Sequence, residues 1–206
     1  IKINLLNKIL KPLYRFSFNY SNVINIFHNN SDKETLINKK LTSIDKSIVI
    51  KGSGVNSNYF KTKLTKKTFN KRVRILFPAR IIREKGIIEL VQACKELWDS
   101  GYKFILCIAG EIDKKNNSCL DIKDLKLIYE NENIEFSGKS DNMLEIYKKI
   151  DIVILPSWRE GLSRSILEAA SMSLPIITSD VPGCNDIIKD KYSGILVKAK
   201  SPNKLK

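Results

Sequence analysis

Two glutamates, Glu160 and Glu168, stand where their chemistry could converge. An apolar run over 152–155 stops at Pro156, as a short buried strand does. A polar loop follows. Ile166, Leu167, Ala169, Ala170 and Met172 then recur at helical spacing, with Ser163 as the expected N-cap and Ser173-Leu174-Pro175 as the stop. A second strand is expected over 176–179. Strand, loop, helix, strand is the repeating unit of a parallel sheet. It puts Glu160 on a strand-end loop and Glu168 one turn into the next helix, so the two acids can face one crevice from two sides. Carboxylates accept hydrogen bonds but cannot neutralise phosphate, which makes sugar or ribose hydroxyls their natural partners. The helix start between them favours an anionic or hydroxyl-rich ligand through its unpaired N–H groups and its dipole.

Two cations belong to a second loop of the same kind. Arg80 and Lys85 follow an expected strand over 73–78 and precede an expected helix over 86–98. An arginine fork and a mobile lysine charge at such a point would make a diphosphate clamp. By themselves, surface cations are more often a solvated face. Gly110 and Gly138 each follow an expected strand, 103–109 and 134–136, and each is equally well explained as a strand-ending turn.

The elements that would carry these residues alternate regularly. Beyond those named, helices are expected over 121–130 and 141–149. Alternating strand and helix from 73 onward argues for an α/β fold with a doubly wound parallel sheet, whose right-handed crossovers bring the strand-end loops to one edge. The first 48 residues read differently. They offer a helical stretch over 5–18 interrupted by Pro12, a strand over 22–27 and an amphipathic helix over 31–41, too little to bury a core of their own. An apolar stretch over 47–50 leads into Gly52 and Gly54, and the basic stretch 58–72 reads as a loop. His28, the only histidine, sits after the first strand and is more plausibly structural than catalytic.

Composition narrows the classes. The chain has 206 residues, 43% of them hydrophobic, and a formal net charge of +14. No apolar run approaches the roughly 20 residues that span a bilayer, and residues 1–13 lack the small-residue cleavage site of a signal peptide. The lysines are scattered without interleaved aromatics, which speaks against nucleic acid as a partner. A basic surface lying against anionic lipid headgroups remains open, as does a compositional bias toward Ile, Lys and Asn. Cys94, Cys107, Cys119 and Cys184 have neither metal nor redox spacing and read as free thiols, two of them in apolar patterns.

Glu160-Gly161 followed by Glu168 resembles the Glu-x7-Glu motif of retaining GT-B glycosyltransferases, glycosyltransferase family 4 in particular. Pro175-Ile176-Ile177-Thr178-Ser179-Asp180-Val181-Pro182-Gly183, Asp186-Ile187-Ile188 and Ser193-Gly194-Ile195-Leu196-Val197 are similar to that family's continuation. Ala79-Arg80-Ile81-Ile82-Arg83-Glu84-Lys85-Gly86 resembles its Gly-Arg-x4-Lys-Gly, with Ala79 in place of the first glycine. Gly110-Glu111 resembles its glycine loop, and 51–56 its interdomain connection. Pro182-Gly183-Cys184 and that connection resemble bacterial members that extend undecaprenyl-diphosphate-linked glycans or polysaccharides. Two departures stand out: Ser163 replaces a common proline, and Ser173 a common glycine.

The resemblance implies three segments. Residues 1–48 would be the end of an N-terminal acceptor-side domain, 49–72 the interdomain connection, and 73–206 the Rossmann-like donor domain without its last helix. It implies transfer of a hexose-type sugar, with retention, from a nucleoside diphosphate (UDP by family habit) to a glycan or polyprenyl-diphosphate-linked acceptor. Arg80 and Lys85 would hold the diphosphate and Glu160 the transferred sugar. Glu168 would bind the ribose, Gly138 would lie near the base, and Gly110 with the N–H groups of Gly161, Leu162 and Ser163 would line the donor. No cofactor and no metal are implied, and no Asp-x-Asp metal motif occurs. The place of action would be the cytoplasm, peripheral at the inner face of the plasma membrane. The rival expectation is a non-catalytic nucleotide-sugar-binding fragment, or a subunit that needs a separate acceptor-binding chain.

Overall fold

The computed structural model describes residues 2–52, 54–62 and 72–206, with side chains from residue 10 onward. The chain forms two compact units, Ile1–Ser53 and Gly54–Lys206. The division falls inside the stretch expected to connect two domains. Of that stretch, residues 53 and 63–71 lie outside the described residues, as does much of the loop expected over 58–72. Residues 54–62 belong with the larger unit, where Phe60 is buried and its carbonyl accepts a hydrogen bond from Ser171 Oγ at 2.7 Å.

In the smaller unit, helix α1 (Lys2–Phe18) runs through Pro12 instead of breaking there. A proline removes one intrahelical hydrogen bond, and this helix absorbs the loss. Strands β1 (Asn25–Phe27) and β2 (Ser47–Val49) pair in parallel, with Ile26 opposite Ile48. Helix α2 (Asn30–Asn38) is capped by Asn29, whose side chain accepts from the Asp32 amide at 2.7 Å. The amphipathic helix expected over 31–41 is corrected in one respect: α2 contains no buried residue.

The larger unit is a six-stranded, all-parallel sheet. Its strands are β3 (Val73–Phe77), β4 (Phe104–Ile108), β5 (Ile134–Phe136), β6 (Ile152–Leu155), β7 (Ile176–Ser179) and β8 (Ile195–Val197). Spatial order is β5-β4-β3-β6-β7-β8. Helices α3 (Ile87–Asp99), α4 (Ile122–Tyr129), α5 (Met143–Tyr147) and α6 (Arg164–Ser171) connect the strands. All five residues of β4 are buried and three of the four in β6, as expected of strands covered on both faces. Strand β8 was not read as a strand from sequence: three apolar residues at a sheet edge leave too short a signal.

Winding proceeds from β3 outward to β5, then returns to β6 beside β3 and continues to β8. The strand order therefore reverses between β3 and β6, which pair through Ile75–Ile152 and Leu76–Val153. At such a reversal the following loops diverge to opposite sides and leave a crevice at the carboxyl ends of the strands. This is the fold class expected from the alternation.

Candidate functional site

The loops after β3 and β6 flank the reversal, and they carry the residues nominated from sequence. Their approach is close. A Cβ on Gly86, at φ +74°, would stand 2.1 Å from the Pro156 carbonyl oxygen, so only glycine lets the start of α3 lie against the end of β6. The Trp158 amide donates to the Glu84 carbonyl at 2.8 Å, and its indole Nε1 donates to Glu89 Oε1 at 3.0 Å. Lys200 covers the same indole ring, 4.2 Å from its centroid.

Across this seam Lys85 Nζ lies 2.7 Å from Glu160 Oε1. Both side chains are largely buried, 20% and 10% exposed, so the pair is poorly screened by solvent. Ser157 Oγ donates to the same carboxylate oxygen at 2.7 Å. Arg80, the other cation of the loop, is half exposed and pairs with Asp113 at 2.6 Å. Gly110 brings that partner close: a Cβ there would sit 1.9 Å from the Ala79 carbonyl oxygen, so the loop after β4 folds directly onto the loop after β3. The Ile81 amide donates to the Glu111 carbonyl at 2.9 Å, extending the contact.

Glu168 is not a solvated helix acid. It is buried with Ile166 and Ala169 on the inner face of α6, whereas Ala170, expected on that face, is exposed. Its two oxygens have separate partners. Arg164 Nε donates to Oε1 at 3.0 Å from one turn earlier, and the Tyr147 hydroxyl on α5 lies 3.2 Å from Oε2. Burial first, then the charge of Glu168, pushes the Tyr147 phenol well above its ordinary value, so it remains a donor.

Ser163 occupies the N-cap position of α6, but its side chain makes no capping hydrogen bond; its hydroxyl lies 3.3 Å from that of Ser165. Its ψ of 105° leaves the hydroxyl with a neighbouring side chain instead of the backbone of the first turn. The Ser163 amide, expected to face a ligand, donates to the Gly183 carbonyl at 3.2 Å. Gly161 and Leu162 lie in the same loop, half-buried. Gly183, at φ +81°, would bring a Cβ 2.6 Å from the Glu160 carbonyl oxygen, and so closes the turn after β7 onto this loop. Gly138 takes φ +62° beyond β5, at the far edge of the sheet, and nothing surrounds it within 4 Å of a Cβ. Backbone conformation alone accounts for that glycine. Ser173, where the resemblance calls for glycine, takes φ +56°, in the left-handed region that favours glycine.

The fold thus gathers Arg80, Lys85, Gly110, Glu160, Gly161, Leu162, Ser163 and Glu168 around the loops after β3, β4 and β6. Gly138 is two strands away from the reversal. Asp113, Tyr147, Ser157, Trp158 and Arg164 were not nominated. No motif marks them in sequence, and only Arg164, four residues before Glu168 on a helix, carried a usable spacing signal. The arrangement sets Arg80, Lys85 and Glu160 on the loops that flank the reversal, with the Glu168 carboxylate on the helix that follows.

Comparison with known proteins agrees with this geometry. The glycosyl transferases group 1 profile matches residues 59–206. N,N'-diacetylbacillosaminyl-diphospho-undecaprenol alpha-1,3-N-acetylgalactosaminyltransferase of Campylobacter jejuni is 30% identical over 214 residues, covering 99% of this chain and 54% of the relative. The capsular polysaccharide biosynthesis glycosyltransferase CapM of Staphylococcus aureus is 28% identical over 131 residues, 64% of this chain and 34% of the relative. Among solved structures, a glycosyltransferase of Rickettsia africae superposes with a TM-score of 0.77 at 23% identity, over 93% of this chain and 54% of that one. Anabaena Alr3699/HepE in complex with UDP-glucose superposes with a TM-score of 0.78 at 16% identity, over 95% and 56%. The chain spans about half the length of the C. jejuni relative. With the profile covering most of its length and a strand-end site of the matching kind, the chain belongs to the glycosyl transferases group 1 family.

Proposed function

We propose that this chain is the donor-binding half of a retaining, family 4 glycosyltransferase, acting on a nucleoside diphosphate hexose, UDP-linked first among them. The observation that carries this reading is the 2.7 Å contact of Lys85, on the loop after β3, with Glu160, on the loop after the adjacent strand β6; Arg80 lies on the first of these loops and Glu168 on the helix that follows the second. Arg80 and Lys85 hold the diphosphate and meet the charge that develops on the departing nucleotide, without a metal or other cofactor. Glu160 accepts hydrogen bonds from hydroxyls of the transferred sugar, and Glu168 from those of the ribose. Gly110, Gly161, Leu162 and Ser163 line the donor.

In the transfer itself the bond from the anomeric carbon to the diphosphate oxygen breaks, and the nucleoside diphosphate leaves with the electron pair. An acceptor hydroxyl attacks on the same face, and its proton passes to a donor phosphate oxygen. The acceptor is a glycan or a polyprenyl-diphosphate-linked glycan, a reading supported by the diphospho-undecaprenol for which the C. jejuni relative is named. Residues 1–48 are the end of an acceptor-side domain in this reading, 49–72 the connection and 73–206 the donor domain. The net charge of +14 supports peripheral association with anionic lipid at the cytoplasmic face of the plasma membrane. No described helix is long and apolar enough to cross a membrane.

Because the chain spans about half of the C. jejuni relative, a second reading stands beside the first: a nucleotide-sugar-binding module that needs a separate acceptor-binding domain for turnover. Calorimetric titration with UDP, GDP and ADP tests what both require. One nucleotide should bind selectively, and Arg80→Ala should weaken it by about 1.5–3 kcal/mol, the scale of a hydrogen bond to a charged group. Affinity indifferent to Arg80 would remove the clamp. Turnover on adding an acceptor-binding domain then separates the two readings.

A further inference from the structure

Among the described residues, the side chain that reaches Glu168 from outside its own helix is Tyr147. The Tyr147 ring is fully buried at the end of α5, and its hydroxyl lies 3.2 Å from Glu168 Oε2 and 3.0 Å from the Ser165 carbonyl oxygen. A phenol has one proton, and the charged acceptor makes the stronger bond. The ring in turn meets Phe60 edge-on, with centroids 6.0 Å apart. Phe60 is fixed to α6 itself, through the bond from Ser171 Oγ to its carbonyl. Three separate stretches of chain therefore close around one carboxylate: the segment before β3, the end of α5, and α6.

We infer that Tyr147 is a positioning residue that aims the Glu168 carboxylate at the donor nucleoside, with Phe60 as the buttress of its ring. The inference rests on the reading of Glu168 as the ribose acceptor. A buried carboxylate with one oxygen unpaired would rotate toward another donor or draw in water. Tyr147 removes that freedom, leaving Glu168 with fixed lone pairs for the hydroxyls of a ligand. Arg164 binds the other oxygen but is 73% exposed, and a long solvated side chain cannot hold an angle as a buried ring does. Tyr147 touches neither diphosphate cation, both of which sit on the loop after β3 with carboxylate partners of their own.

The test compares UDP with inorganic pyrophosphate by calorimetry, in Tyr147→Phe, Glu168→Gln and the double variant. Tyr147→Phe should raise the Kd for UDP about fivefold to tenfold, the loss expected of one buried hydrogen bond, and leave pyrophosphate unchanged. In the Glu168→Gln background the same substitution should add nothing, because the group it positions is already altered. A Tyr147→Phe variant that weakens both ligands alike, weakens neither, or adds its full effect to that of Glu168→Gln overturns the inference. Glu168→Gln that fails to distinguish UDP from pyrophosphate overturns instead the ribose reading on which it rests. Phe60→Leu, which keeps the hydroxyl and removes the edge contact, is a second variant should Tyr147→Phe not fold. It should give a smaller loss confined to UDP, and an equal loss on both ligands counts against the inference.

Discussion

The Lys85 ammonium and the Glu160 carboxylate, 75 residues apart in the chain, lie 2.7 Å from each other across the seam where the strand order reverses. Both are proposed ligand contacts, and without ligand each satisfies the other. An acid and a base that are to bind different parts of one donor can thus be stored as a pair, neither left unpaired in a poorly hydrated crevice. On the proposed reading, donor binding would exchange that pair for contacts with diphosphate and sugar.

Removal of one partner should therefore cost stability. Lys85→Met leaves the Glu160 carboxylate largely buried with Ser157 as its remaining side-chain donor, and should lower unfolding free energy by about 1–3 kcal/mol. Glu160→Gln with Lys85→Met together should cost less than the sum of the singles. Urea unfolding of the four proteins measures that coupling. Strict additivity would mean the pair is not formed in solution.

Asp113 should act in the opposite direction on binding. It pairs with Arg80 at the crevice rim, where a diphosphate would compete for the same guanidinium. Asp113→Asn should tighten UDP by a few-fold, no more than about 1 kcal/mol, since the pair is substantially exposed. A titration showing weaker binding would make Asp113 a positioning partner of Arg80 and not its competitor.

The four cysteines should divide by reactivity. Burial pushes the thiols of Cys94 and Cys184 up to about 12 and that of Cys107 up to about 11, whereas Cys119 is only partly buried. Thiolate is the reactive form. At neutral pH an aromatic disulfide reagent should label Cys119 first in the native chain and all four thiols in denaturant. Rapid native labelling of Cys184 would show that the turn after β7 opens readily.

Glu135 and Arg74 link the starts of β3 and β5 across β4, with Nη2 and Oε2 2.5 Å apart. The hydrogen bonds from Arg74 hold the Glu135 carboxyl below the usual carboxylate range. A group whose folded pKa is depressed stabilises the fold above its unfolded pKa, and the contribution fades as pH falls through the folded value. The difference in melting temperature between the native chain and Glu135→Gln should therefore be present at pH 7 and shrink below about pH 4.5. A difference that grows on acidification would contradict the pairing.

Ser173 pays for its left-handed backbone, φ +56°, at the end of α6. Ser173→Gly should raise stability by about 0.5–1 kcal/mol, because the relief of strain exceeds the entropy glycine adds to the unfolded chain. Thermal unfolding checks it.

Local sequence determined the elements of the larger unit. Apolar runs and punctuation marked β5, β6 and β7 at their observed bounds, and helical spacing marked α3 and α6, because burial imposes period and length on each element separately. The family motifs placed Arg80, Lys85 and Glu160 on strand-end loops and Glu168 on the helix after the second loop. The partners that orient those groups were decided by the tertiary structure alone. Asp113 reaches Arg80 from the loop after β4, Tyr147 reaches Glu168 from α5, and Trp158 and Gly86 bind the two central loops together. Each of these contacts joins residues far apart in the chain, and its existence depends on which strands are neighbours. Strand order is a property of the packed sheet, and no window of sequence contains it.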